Sequence, residues 1–155
     1  MPATLHNEIE IPVPAERLFD YVTQPWLWHE WHPSSRSASA ANKPLAVGDE
    51  FEEFIEVQPL APLPPRLKRK TLYQVKESVP YQTWTAEGRM KDGWVRIRYD
   101  FEEKGKVTFF ARTLDFSVSG PNRILLPWIR SSMEKLSLVA LNNLKNKMQA
   151  VPYEP

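Results

Sequence analysis

The chain has 155 residues, 42% of them hydrophobic and 25% charged, with 20 basic side chains against 19 acidic ones. Those are the proportions of one globular domain, long enough to bury about 70% of its unfolded surface around one core. A net charge of +1 gives no long-range field for nucleic acid or an anionic membrane, and zero cysteines exclude a disulfide framework, thiol catalysis and cysteine-ligated zinc.

Leu5 to Ile11 alternates, with Leu5, Ile9 and Ile11 on one face and His6, Glu8 and Glu10 on the other, the pattern of a half-buried first strand. Pro12 and Pro14 end it. Pro14 to Val22 predicts a short helix with proline in its first turn and Leu18, Phe19 and Val22 as its apolar stripe. Gln24 to Pro33 is a second short helical or turn-like piece, dense in aromatics, and Ser34 to Asn42 reads as a small-residue loop.

Gly48-Asp49 opens a strand through Val57 that carries Glu50, Glu52, Glu53 and Glu56, and the next strand, Leu67 to Ser78, opens with Lys68, Arg69 and Lys70. Opposite charges would meet across antiparallel neighbours, a solvated and charge-paired edge. Between them Pro59 to Pro65 favours polyproline II geometry. Strands follow at Gln82 to Arg89, Trp94 to Glu103 and Lys106 to Ser119, with Asp92-Gly93 and Lys104-Gly105 as hairpin signals. Between Val107 and Val118 both alternation phases are apolar, which implies a bulge or burial on two sides.

The chain closes on a helix from Asn122 to Gln149, where Leu125, Ile129, Met133, Leu136, Ala140 and Leu144 recur at spacings of three and four. Pro127 suits either its first turn or a kink. Consecutive hairpins imply an antiparallel sheet, and its apolar face needs the cover that this helix provides. The expected fold class is therefore α+β, one domain over 1–155 with its core over 5–149: a curved antiparallel sheet of six or seven strands wrapped around the long C-terminal helix, with two short helices after the first strand. No apolar run near 18 residues and no signal-peptide pattern is present, so a cytoplasmic setting without stable membrane insertion is expected.

The stretch Glu8-Ile-Glu-Ile-Pro-Val-Pro-Ala-Glu-Arg-Leu-Phe-Asp-Tyr-Val22 followed by Trp28-His-Glu-Trp-His-Pro-Ser-Ser35, in that order of elements, resembles the START/SRPBCC superfamily. This helix-grip group includes polyketide cyclase/dehydrase-like and lipid-transfer-like proteins. The resemblance spans Leu5 to Gln149 and implies a cavity between sheet and helix for a small hydrophobic molecule, reached near the short helices and hairpin loops. The scaffold serves binding proteins, enzymes and regulators alike, so it carries over no catalytic residue.

Among the residues themselves, Trp28, Trp31, Trp84, Tyr99, Phe116, Trp128, Met133 and Leu136 are the expected ligand contacts, with His32 and Arg112 as candidates for its polar end. The competing reading of the tryptophans is a packed lid over a filled core. The charged residues on the later strands, Arg96, Arg98, Arg112 and Asp115, belong by default on the solvent side, and any one of them that pointed inward would orient a polar ligand head. His29-Glu30-Trp31-His32 is not HExxH, since Pro33 stands where the second histidine would be, so neither a metal nor another cofactor is expected. Arg66 to Lys70 is too short a basic run for nucleic acid. The PxxP spacings of Pro59 to Pro65 would suit a protein partner of SH3 type, and a rigid loop explains them as well.

The favoured function is binding of a small hydrophobic or amphipathic ligand. The alternatives are a cyclase/dehydratase-type enzyme and a protein-interaction or co-chaperone-like regulator. A buried carboxylate or His32 facing the cavity beside another titratable group would favour the enzyme, and a closed cavity with a continuous exposed aromatic surface would favour the regulator.

Overall fold

Seven strands form one antiparallel sheet in the order β1-β7-β6-β5-β4-β3-β2, in a computed structural model that describes residues 3–150. The strands are β1 (Ala3–Ile11), β2 (Ser35–Ala40), β3 (Glu50–Val57), β4 (Leu67–Val79), β5 (Thr83–Met90), β6 (Gly93–Lys104) and β7 (Val107–Val118). Helix α1 (Ala15–Val22) and a 3-10 helix (Pro25–Glu30) link β1 to β2, and a second 3-10 turn (Pro121–Leu125) leads into helix α2 (Leu126–Ala150). This is the helix-grip arrangement expected from the order of elements. Among the described residues no helix is long and apolar enough to cross a membrane.

Four details differ from the sequence reading. Ser35–Ala40 is an edge strand rather than a loop, because its small polar residues can pair with β3 while needing little burial. The Pro59 to Pro65 segment folds back in consecutive turns instead of extending, with the Gln58 amide donating to the carbonyls of Pro62 and Leu63. Strand β7 has no bulge, and of the two readings open for it burial on two sides holds, its residues alternating between buried and partly buried; the register shifts fall instead at Ser35/Ser37 and at Val75/Glu77, where they help the sheet to curl. Both hairpin turns also sit one residue off the expected pairs, since Met90 faces Gly93 and Lys104 faces Val107 in register.

Pro127 lies in the first turn of α2, where its missing N–H costs nothing. The α1 N-terminus begins at Pro14, which has no capping oxygen, and the Glu103 carboxylate of β6 accepts from the Ala15 N–H at 2.7 Å in its place. Lys70 and Glu52 pair across β3 and β4 at 3.4 Å, as the charge pattern predicts.

The core fills the concave face unevenly. Trp28 drops from the 3-10 helix into the sheet, donates its indole N–H to the Val22 carbonyl at 2.7 Å, and meets Phe51, Tyr73, Trp84 and Tyr99 edge to face. Behind it, Phe51 stacks on Tyr73 and Trp84 on Tyr99, with ring centroids 4.7 and 5.5 Å apart. The C-terminal half of α2 buries Ser137, Ala140, Leu141, Leu144 and Met148, whereas over its first eleven residues Ile129 alone is fully buried. The loosely seated half of the helix roofs the cavity.

Candidate functional site

The cavity lies between the concave sheet and the N-terminal half of α2, with about 90 Å³ of free volume. Its walls are mostly apolar: Ile55, Val95, Ile97, Leu114 and Phe116 from the strands, and Ile129, Met133 and Leu136 from the helix. Strand periodicity explains the strand wall, because β7 turns Phe110, Arg112, Leu114 and Phe116 to the same face. Arg112 is the charged member of that row.

A polar end is made by Arg112, Glu53, Tyr73, Tyr99 and His32, all of which line the cavity. Glu53 is 5% exposed and Arg112 6%, depths at which charged groups are usually paired. The contact that Glu53 makes is long, Tyr73 donating its hydroxyl to Glu53 Oε1 at 3.5 Å. Tyr73 reaches this place because Gly88 faces it on β5; a Cβ there would stand 2.7 Å from the tyrosine ring. Arg112 donates through Nη1 to Ser137 Oγ at 3.2 Å, and that hydroxyl donates to Asn7 Oδ1 at 2.9 Å. Arg112 Nε and the Trp31 indole N–H are buried without a hydrogen-bond partner among the described residues.

These surroundings shift the protonation equilibria. Burial pushes the Glu53 carboxyl up to about 7, and the smaller opposing pulls of Ser35, Arg112 and Tyr73 do not offset it. Burial, with the Arg112 charge second, holds His32 well below the usual imidazole range. Its Nδ1 accepts the Ser34 backbone N–H at 3.3 Å, so the neutral ring carries its proton on Nε2. Burial also raises Tyr73 and Tyr99, which stay protonated donors. The site thus offers several N–H and O–H donors and one carboxyl that changes charge near neutral pH.

At the rim, Arg69 of β4 clasps Asp92 of the β5–β6 turn through two hydrogen bonds of 2.8 Å, and Asn122 donates to the same carboxylate at 3.2 Å. This clasp ties a strand, a hairpin and the approach to α2 across one edge of the cavity. The Arg69 guanidinium holds the Asp92 carboxyl below the usual range.

Eight of the ten residues singled out in the sequence meet here: Trp28, Trp31, His32, Tyr99, Arg112, Phe116, Met133 and Leu136. Two do not. Trp84 is fully buried within the aromatic stack, shielded from the cavity by Tyr99, Phe51 and Trp28. Trp128 is 51% exposed, because it precedes the inward Ile129 by one residue and so projects about 100° away around the helix. Sequence reasoning misses Glu53, Tyr73, Arg69 and Asp92. The signal for Glu53 is its phase, two residues from Phe51 and four from Val57, both buried; the acidic run around it reads as a wet edge and hides that phase.

Residues 2–149 match the model of the family described as polyketide cyclase/dehydrase and lipid transport. Among solved structures, the chain is similar to a START superfamily protein from Mycobacterium smegmatis at 13% identity and a TM-score of 0.75, covering 96% of this chain and 99% of that one. It is also similar to the Zhui aromatase/cyclase from Streptomyces sp. R1128, at 8% identity and a TM-score of 0.74 over 96% and 94% of the two chains. A third, the protein TTHA0849 from Thermus thermophilus, is 14% identical with a TM-score of 0.74 over 96% and 98%. No curated protein matches the sequence at a significant level.

Proposed function

The chain belongs to the polyketide cyclase/dehydrase and lipid-transport family, and from that premise we propose that it binds a small hydrophobic or amphipathic molecule under the N-terminal half of α2, with the polar end of the molecule at Arg112 and Glu53. The observation that carries this reading is a buried, partly unpartnered Arg112 in the polar end of a cavity whose walls are mostly apolar. Apolar wall would supply affinity at roughly 25 cal/mol for each Å² covered, and the polar end would fix orientation.

The free volume of about 90 Å³ is well below the roughly 300 Å³ at which drug-sized ligand pockets begin. Binding therefore involves widening, and the half-buried Met133 and Leu136 on the loosely seated part of α2 are the side chains best placed to give way. Native mass spectrometry of the purified chain, followed by tryptophan-fluorescence titration with fatty acids, quinones and aromatic polyketides, tests the reading. Saturable quenching is expected, since Trp28 and Trp31 stand in the wall. No co-purified mass and no quenching across these classes would overturn it.

A second reading, cyclase/dehydratase-type chemistry, is favoured by Glu53. A carboxyl titrating near 7 beside an arginine suits removal of a proton from the carbon next to a carbonyl. The proton would pass to a Glu53 oxygen, the C–H electron pair would form the carbon–carbon double bond of the enolate, and the carbonyl π pair would move to the oxygen, where Arg112 would stabilise the charge. Hydrogen–deuterium exchange at the α-carbon of a bound 1,3-diketone checks this. Exchange that the chain accelerates and Glu53→Gln abolishes supports it; exchange unaffected by the substitution rejects it.

A further inference from the structure

A buried arginine keeps its charge, because its guanidinium does not lose a proton at any physiological pH. Taking that charge out of water costs several kcal/mol unless a counter-ion and hydrogen bonds compensate. Arg112 has little of either. Among the described residues it forms no ion pair, its Nε lacks a partner, and its side-chain acceptors are neutral hydroxyls, Ser137 at 3.2 Å and Tyr99. Glu53, on the same cavity wall, feels the Arg112 charge but makes no direct ion pair with it.

The other groups around this space do not fill the role. His32 from the loop after the 3-10 helix, Tyr73 from β4 and Tyr99 from β6 are neutral, Ser34 on the wall and the buried Ser35 beside Glu53 are uncharged, and α2 contributes Ile129, Met133 and Leu136 to the wall and Ser137 to Arg112. The nearest carboxylate beyond Glu53 on the wall is Asp92, which is engaged by Arg69 at the rim. Arg112 is thus a buried cation with no directly paired carboxylate among the described residues.

We propose that the ligand supplies it: the cavity selects small amphipaths that carry a single carboxylate, which pairs with Arg112 while Glu53 takes up a proton. Two carboxylates and one guanidinium sharing so small an apolar space cannot both stay ionised, and the one in direct contact with the arginine keeps its charge. That Glu53 already titrates close to neutrality makes the uptake small in cost. The inference rests on the ligand-binding reading above and narrows it to a substrate class.

Isothermal titration of the full chain with trans-cinnamate and its neutral isostere cinnamamide, at pH 7.5 in phosphate and in Tris, separates the two levels. Cinnamate is expected to bind at least about tenfold more tightly than the amide, with the heats in the two buffers reporting uptake of roughly one proton. Glu53→Gln should keep the preference for the acid and abolish the uptake. Arg112→Met should erase the preference while still binding the amide. Equal or tighter binding of the amide by the unmodified chain would overturn the carboxylate inference and leave the ligand pocket standing. Uptake that survives Glu53→Gln would overturn the role of Glu53. Binding of neither compound would overturn the inference together with the pocket reading beneath it.

Discussion

Glu53 and Arg112 lie on β3 and β7, four steps apart in the sheet, yet both line one cavity, where the Arg112 charge pulls the Glu53 carboxyl down against the larger effect of burial. Neighbouring strands are spaced by about 4.8 Å, so in a flat sheet these residues would be roughly 19 Å apart. The curl of the sheet closes that distance, and the N-terminal half of α2 roofs the space between them. A carboxyl and a guanidinium that sequence distance and strand order keep apart become the two ends of one polar site.

Glu53 makes the stability of the chain depend on pH in an unusual direction. Its folded-state value, about 7, lies above the ordinary 4.5, so between those values the folded state binds more protons than the unfolded one and stability falls as pH rises. The shift corresponds to a loss on the order of 3 kcal/mol, complete above about pH 7. Glu53→Gln is expected to be more stable than the parent at pH 8, with the advantage shrinking to nothing or reversing near pH 4. His32 contributes an opposite slope below its ordinary range, since the unfolded ring protonates and the folded one resists. That slope is common to both proteins and cancels in the difference. Urea unfolding at pH 4, 5, 6, 7 and 8 measures it; a difference that does not vary with pH would place the Glu53 carboxyl in water.

The Arg69–Asp92 clasp is expected to limit the rate of ligand exchange more than affinity. It crosses the rim between β4, the β5–β6 turn and the start of α2, where the roof is least well packed. Arg69→Ala should speed both association and release in stopped-flow fluorescence and leave Kd within about threefold, as expected for a gate whose two charged groups are taken up with each other. Asp92, held low by Arg69, keeps its charge above the ordinary carboxylate range and loses it only as pH falls below that range, so the parent should show the same acceleration in acid. Equal rates for variant and parent would remove the clasp from the access route.

Gly88 carries a prediction about positioning. A Cβ at this residue would meet Thr71 Cγ2 at 2.6 Å and the Tyr73 ring at 2.7 Å, closer than side chains tolerate. Gly88→Ala should cost about 1 to 3 kcal/mol from overpacking and push Tyr73 away from Glu53. The second effect is separable from the first: loss of the Tyr73 hydroxyl removes a stabiliser of the Glu53 charge, so the carboxyl should titrate higher than in the parent. Carbon-detected NMR of the Glu53 carboxyl reads this shift, and an unchanged midpoint would show that Tyr73 has not moved.

The fold was legible because its signals are local and redundant: hairpin turns every dozen residues, one long period-3.6 stripe, and prolines at element ends. The wall of the cavity was legible for the same reason, since large aromatics on inward phases have few other places to go. Its polar end was harder. Arg112 shows a phase shared with Phe110 and Leu114, but Glu53 sits in an acidic run whose other members, Glu50 and Glu52, do face outward, so composition and phase give opposite answers. The Arg69–Asp92 clasp joins residues 23 apart on separate hairpins, a pairing that depends on how far the sheet curls and that no local pattern encodes. Trp84 and Trp128 fail for a complementary reason. Both are large apolar residues on suitable elements, and only the packing of neighbours decides that one is stacked behind the wall and the other left in solvent.

Met133→Trp tests the location of the ligand most directly. Met133 faces the cavity from the loosely packed half of α2, and an indole there would occupy much of the free volume. Because the space is already present and the helix is half-exposed at this point, the substitution should change stability by less than about 1.5 kcal/mol, in contrast to overpacking in a filled core. Binding of any ligand that saturates the parent should weaken by at least about tenfold. Trp128→Ala, five residues earlier on the solvent side of the same helix, is the matched control and should leave affinity unchanged. If Trp128→Ala abolished binding and Met133→Trp did not, the ligand would sit on the outer face of α2, and the exposed Leu138 and Val139 would become its neighbours in place of the cavity wall.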